Sequence, residues 1–168
     1  MIESVFFIRE EHPMKRYFPL IIAVVQLACT DFGENVPPQL PFGDLLAAPE
    51  TLTVDGKSLV MSTSLGRNLM PMVPPSSSGL VAVVYLQMTD STAMPESISA
   101  DVVWVVQGQD VWASFLRDSP PPRANVIVKS ASDGPEWDGP VDVVVRVVDN
   151  RGTFRLLRAA NQIVGKVY

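Results

Sequence analysis

An antiparallel β-sandwich of about seven or eight strands is the fold predicted for residues 50–168, with a small β-barrel as the alternative. Three observations carry this expectation. Apolar residues alternate, or run together over short stretches, and do not recur at helical spacing. Clusters of Gly, Pro, Asn and Asp punctuate these stretches at intervals of roughly ten residues, the rhythm of an all-β domain. The 168 residues include 15 prolines, which stiffen loops and interrupt helices.

The strands follow in order. Leu52 and Val54 lead into Asp55-Gly56, a two-residue hairpin signal that sets Leu52 opposite Leu59. Leu59, Met61, Thr63 and Leu65 then share one face, and Val60, Ser62 and Ser64 the other. Gly66–Pro71 passes into the loop Val73–Gly79, and Leu80–Met88 reads as a central strand because it is almost wholly apolar. Ile98–Gln107 and Asp110–Leu116 flank Gly108-Gln109, where a leading glycine suits a type II′ turn. That register pairs Val106 with Val111, Trp104 with Ala113 and Val102 with Phe115. This set is the expected core face, since small Ala113 leaves room for a buried indole. Val103, Val105, Gln107, Trp112 and Ser114 fall on the other face. Beyond Pro120–Pro122 come a strand Ala124–Ser130, the loop Asp133–Pro140 and the valine-rich strand Val141–Val148. A four-residue turn Asp149–Gly152 sets Phe154 opposite Val147 and Leu156 opposite Val145. It also places Arg146 across from Arg155. Gln162–Tyr168 is expected as a last edge strand.

The N-terminal part reads differently. Residues 1–13 are acidic, and Met14 is a plausible true start. Lys15 and Arg16 precede the apolar run Phe18–Ala28, in the order of an export signal. Eleven residues span about 16 Å as a helix, too short for a bilayer core of roughly 30 Å. The run ends Gln26-Leu27-Ala28-Cys29-Thr30. It resembles a bacterial lipoprotein signal, with Leu27-Ala28-Cys29 as the end of the lipobox and Gln26 where the family usually has Leu. The resemblance implies cleavage before Cys29, acylation of Cys29 and, with Thr30 rather than Asp following, sorting to the outer membrane. Acyl chains in combination give stable anchoring where one does not. The residues also allow a short core helix with a buried cysteine, or a secreted or periplasmic protein with a cleaved leader.

The expected organisation is therefore a signal peptide over 1–28, a Pro-rich tether over 29–49 and a β-domain over 50–168. A short helical turn is expected at Asp44–Ala48. The tether could also serve as a docking peptide through Pro37, Pro38 and Pro41. In strand count and spacing alone, the domain resembles immunoglobulin-like and fibronectin-III-like sandwiches, and the Cys…Trp…Cys framework of the former is absent.

Chemistry is constrained by what the chain lacks. It has one cysteine and one histidine, His12, and the formal charge is −5. The leader carries acids and bases in equal number, so that charge belongs to the remainder and disfavours nucleic acid as a partner. A mature domain without His or free Cys has no Ser–His–Asp triad, no Cys–His pair and no soft metal site. No catalytic residue, resident metal or cofactor is expected. Carboxylate chemistry with Glu96, Glu136 and Asp138 is the enzymatic alternative. Asp133, Glu136 and Asp138 are also ligand types for Ca²⁺, although Asp-Gly and Gly-Pro make turns on their own account. Trp112, Trp137 and Tyr85 are candidates for an aromatic platform that a sugar would stack on, or for core. Arg146 and Arg155, with Arg151 and Arg158 nearby, form a basic group that either Asp142 or a bound anion would relieve. The leading expectation is a non-catalytic envelope lipoprotein that contacts the membrane through Cys29 and binds an envelope protein or a glycan. A carbohydrate-binding module using Trp112 and Trp137 is the rival.

Overall fold

A computed structural model describes residues 36–70, 78–119 and 125–168; the expected leader, His12 and Cys29 lie outside these described residues. Among them are one short helix, α1 (Phe42–Ala47), and nine strands. The strands are β1 (Thr51–Val54), β2 (Lys57–Asn68), β3 (Leu80–Met88), β4 (Ile98–Gln107) and β5 (Asp110–Phe115). They continue with β6 (Arg117–Asp118), β7 (Val126–Gly134), β8 (Gly139–Asp149) and β9 (Phe154–Val167). The all-β class is as expected. The strands form one sheet in the order β5-β4-β8-β9-β2-β3-β7-β6, with β1 added to the start of β2.

This order describes a wall that returns on itself. A single residue, Leu116, separates β5 from β6. The same extended segment therefore pairs with β4 through β5 and with β7 through β6. The arrangement lies between a sandwich and a small barrel. Pairing is antiparallel except between β2 and β9, where Leu65–Asn68 runs parallel to Val164–Val167. The C-terminal segment is thus one long strand paired on both sides, not the separate edge strand expected at Gln162–Tyr168. It can serve β8 and then β2 because it bends at a bulge, where Asn161 has φ 53°. Asp142 holds the bend, its carboxylate accepting from Asn161 N–H at 2.8 Å and from the Arg158 guanidinium at 2.9 Å.

Turn chemistry set two registers as expected and a third differently. Asp55 and Gly56, at φ 49° and 77°, close the first hairpin with Leu52 opposite Leu59. Gly108, at φ 61°, closes the β4–β5 hairpin with Trp104 opposite Ala113. In the β8–β9 hairpin, however, the Asp149 carboxylate accepts from the N–H groups of Arg151 and Thr153. Asp149 and Thr153 also pair through the backbone, and Gly152 has φ 78°. The loop is consequently three residues long, of the kind that ends in a left-handed glycine. Arg155 faces Val147 and Leu156 faces Arg146. The one-residue slip moves Arg155 away from Arg146 and turns Leu157, which is fully buried, inward beside Val145.

There are two apolar clusters. The larger fills the inside of the wall with Leu59, Leu65, Leu80, Val84, Leu86, Val103, Val105, Val141, Val143, Val145, Val147 and Leu157. The smaller lies outside, where Val102, Trp104, Val106 and Val144 meet Leu45 and Ala48. The face of the β4–β5 hairpin that was expected to be the core is thus the outer one. Val103 and Val105 on the opposite face belong to the main interior. Both faces are apolar because both are covered, as in a doubly buried strand.

What covers the outer face is the stretch expected to be a spacer. From Val36 onward it is a strap across β4, β8 and β9. Leu45 is completely buried, and the Trp104 indole N–H donates to Pro38 O at 3.0 Å. The Arg158 guanidinium donates to Leu46 O at 2.6 Å, and its backbone N–H donates to Pro49 O at 2.9 Å. The expected helical turn is present as α1, two residues earlier at its start.

Candidate functional site

Strand directions place the β7–β8 connection, the ends of β2 and β9 and the β4–β5 turn at one end of the wall. Arg67 organises that end. It is the last inward residue of β2 in the series Leu59, Met61, Thr63, Leu65, Arg67, and only 7% of it is exposed. Its Nε donates to Ser78 O at 3.0 Å and Nη1 to Glu136 O at 3.1 Å. Nη1 also reaches Asp138 Oδ1 at 3.1 Å, and Nη2 reaches Glu136 Oε2 at 2.9 Å. A buried guanidinium requires such company, because an unpaired charge there would be costly to desolvate. Lys166 Nζ and the Gln107 side chain, at 2.9 and 2.6 Å, hold Asp138 Oδ2 and its backbone O.

The carboxylates respond accordingly. The Ser78 hydroxyl, 2.6 Å away, and then Arg67 hold Glu136 below the usual carboxylate range. Lys166, followed by Arg67, does the same for Asp138, and Asp138 raises Lys166 in return. Two of the three acids considered for Ca²⁺ are thus occupied by cations of the chain. Asp133 stands apart at a β7 bulge with φ 65°, accepting from the Ser132 hydroxyl at 2.8 Å. Glu96 is exposed on the connection between β3 and β4, at the other end of the wall, so it does not face Glu136 or Asp138 across a cleft.

Arg146, Arg155 and Arg158 are likewise drawn into the structure. Arg146 grips Asp101 with two hydrogen bonds of 2.8 and 2.7 Å, and this raises its pKa. Its guanidinium carbon also lies 5.8 Å from the centre of the Phe154 ring, within range of a cation–π contact. Asp101 is available for this because it is the extra residue of a bulge in β4. Arg155 donates to Thr53 O at 2.6 Å. The basic group expected from the sequence is therefore three separate staples.

Trp112 and Trp137 are half-buried and pack against the interior cluster. Tyr85, on the outward face of β3, does not share a surface with them. Gly134 fixes the Trp112 ring in place: a side chain there would come within 3.0 Å of the indole and 2.9 Å of the Leu80 Cβ.

Trp112 nevertheless borders an open cavity. Arg117 pairs with Ser130 and Asp118 with Lys129, and there the ladder between β6 and β7 stops. The next pairs in that register, Leu116 with Ala131 and Phe115 with Ser132, are not made, and β5 and β7 diverge. Between them opens a cavity of about 430 Å³ lined by Trp112–Phe115, Arg117 and Ser130–Asp133, with Val81 and Pro37 at its sides. A second cavity, of about 460 Å³, lies between the strap and β5 and is lined by Val36, Pro37, Gln39, Leu40, Trp104, Val111 and Ala113. The two share Pro37 and Ala113. Together they form one groove that follows the unpaired edge of β5.

Sequence reasoning found Trp112 and Asp133 but missed Arg67, Arg117 and the groove. Arg67 carried a readable signal. Extending the Leu59–Leu65 alternation by one step puts an arginine inward, where its charge demands acidic partners; the sequence does not say that Glu136 and Asp138 supply them. The groove had none, since it depends on where a ladder stops. Among the described residues, no group of three or more acids, histidines or cysteines is placed to hold a metal. No helix among them is long and apolar enough to cross a membrane. Comparison with protein-family models, curated proteins and solved structures finds no match to this chain.

Proposed function

We propose that the chain is a non-catalytic binding or assembly module of the bacterial cell envelope, anchored through lipid on Cys29. The observation that supports the binding role is the groove along β5, an open surface beside a strand edge. Of the acids named for carboxylate catalysis, Glu136 and Asp138 are engaged by Arg67, and Glu96 lies at the other end of the wall from both; Asp101 and Asp142 are engaged by Arg146 and Arg158. A working general acid or base needs reach to a substrate proton, and the engaged groups face structural cations.

The anchor and the binding surface are tested separately. Radiolabelled palmitate should enter the protein and be lost in Cys29→Ser; equal labelling of the two would remove the lipid anchor. A photo-crosslinking residue at Val111, in the groove, should form adducts with an envelope component in living cells. The same probe at Gln87, exposed on β3, should not. Equal adducts from both positions would count against the groove as the binding surface.

A further inference from the structure

We propose that the groove takes an extended segment of a partner polypeptide, added as a strand antiparallel to β5, with an acidic residue near its start. The inference rests on the reading of the domain as a binding module and names what the module binds.

Backbone valence is the first ground. In a two-residue hairpin the residues flanking the turn exchange hydrogen bonds, and every second residue thereafter does so. Gln107 and Asp110 flank the turn, so Asp110, Trp112 and Ser114 direct their N–H and C=O groups to β4. The parity continues in Leu116, whose N–H donates to Asp101 O at 2.8 Å. Val111, Ala113 and Phe115 therefore point theirs the other way, into the groove. Among the described residues the backbone groups of Val111 and Ala113 have no partner, and Phe115 O receives only a 3.5 Å contact from the Ser114 hydroxyl. Main-chain donors and acceptors beside an apolar surface seek such partners. A strand laid along this edge supplies them in the geometry of β-augmentation.

Shape and charge select the occupant further. The two cavities line β5 in succession from Phe115 to Val111, so an extended chain reaches both where a compact ligand would fill one. Val36, Pro37, Leu40 and Val111 give its outer part an apolar lining for alternate side chains. At the Phe115 end stands Arg117, which is exposed and forms no ion pair among the described residues. Arg67, Arg146, Arg155 and Arg158 are by contrast paired or hydrogen-bonded, and Arg151, whose guanidinium is also unpaired among the described residues, lies on the β8–β9 turn at the other end of the wall. An antiparallel guest has its N-terminal side at that end, so Arg117 selects for an acid there. The edge also lacks the devices that usually protect one: β5 has no proline, no lysine and no bulge of its own.

The test is selection from a random heptapeptide display library on the detergent-solubilised full chain. The enriched peptides are expected to carry apolar or β-branched residues at alternate positions, with Glu or Asp toward the N-terminal side. Ala113→Pro removes one groove-facing N–H while sparing the β4 ladder. It should weaken the enriched peptides about tenfold, equivalent to one main-chain hydrogen bond. Arg117→Glu, on the surface, should switch the enriched acid to Lys or Arg with an unchanged melting temperature. If Ala113→Pro proves unfolded, the charge switch alone decides. No enrichment, or enriched peptides indifferent to both variants, overturns the proposal. So does a homodimer that is lost in Ala113→Pro, which would give the edge to a second copy. A Val111 cross-link to a glycan or a lipid would keep the binding module and remove the strand.

Discussion

The inner and outer apolar clusters are built from the same strands but are closed in different ways. The inner one is enclosed by the sheet itself, so each side chain is held by strands paired over long stretches. The outer one is a patch on β4, β8 and β9 roofed by a strap whose only regular structure is the six residues of α1. Six residues cannot form a stable helix alone. The strap is held by Leu45, by the bond from Trp104 to Pro38 and by the two bonds from Arg158. Burial of a side chain thus says little about how firmly it is held. The inner cluster is a property of the whole domain, whereas the outer one should open locally.

Four changes would break or sharpen this contrast, and the largest effect belongs to the interior. Leu157→Ala should cost about 3–4 kcal/mol of global stability in urea unfolding, as buried leucines do when little around them can collapse. Leu45→Ala, equally buried, should cost about 2–3 kcal/mol and have a different signature. Amides at 44–48 should exchange much faster while those of β8 stay protected. Uniform loss of protection in both variants would show the clusters to be one cooperative unit. Arg67→Met should lower stability by about 1–2 kcal/mol, less than removal of a fully buried pair, because Glu136 and Asp138 can return to water. It should also raise amide exchange at 136–138 and leave the strap unchanged.

The smallest effect is that of pH. Glu136 and Asp138 have depressed pKa values, so their contribution is present above the unfolded carboxylate range and fades as pH falls through the folded values. Lys166 is raised, so its contribution is present below the unfolded lysine value and fades as pH rises through the folded one. The melting temperature should accordingly be level between about pH 5 and pH 9. It should then fall gently in acid. An acid limb of equal size after Ser78, Arg67 and Lys166 are replaced together would assign the fall to other carboxylates.

How much of this was legible in the sequence depended on whether the deciding interaction was local. Asp55-Gly56 and Gly108-Gln109 encode their own backbone angles, so both registers could be read from neighbouring residues. The β8–β9 turn has the same kind of residues, but the Asp149 side chain shortens the loop by capping two N–H groups, and one residue of register follows from that. The strap was illegible for another reason. Leu40, Leu45 and Ala48 have no common period among prolines, and only the apolar outer face of β4 and β8 gives them a destination. The valines of β4 on both faces were the available hint, since a strand apolar on both sides must be covered on both. The aromatic candidates, chosen by residue type, proved half-buried. The site that stands open is defined by backbone edges, which composition does not reveal.

The closure of the wall through β6 has a consequence for motion. A ring opens at its weakest link, and this one has only two rungs, Arg117 with Ser130 and Asp118 with Lys129, against β8, whose residues Val143–Val148 pair on both sides. Breathing should therefore begin at that seam, and the outward amides of β6 and the adjoining stretch of β7 should be among the first to exchange with solvent. The short link and the unpaired edge lie on one continuous segment. Each excursion that parts the link lengthens the strand edge on offer by two residues, so the fold supplies its own mechanism for widening the groove.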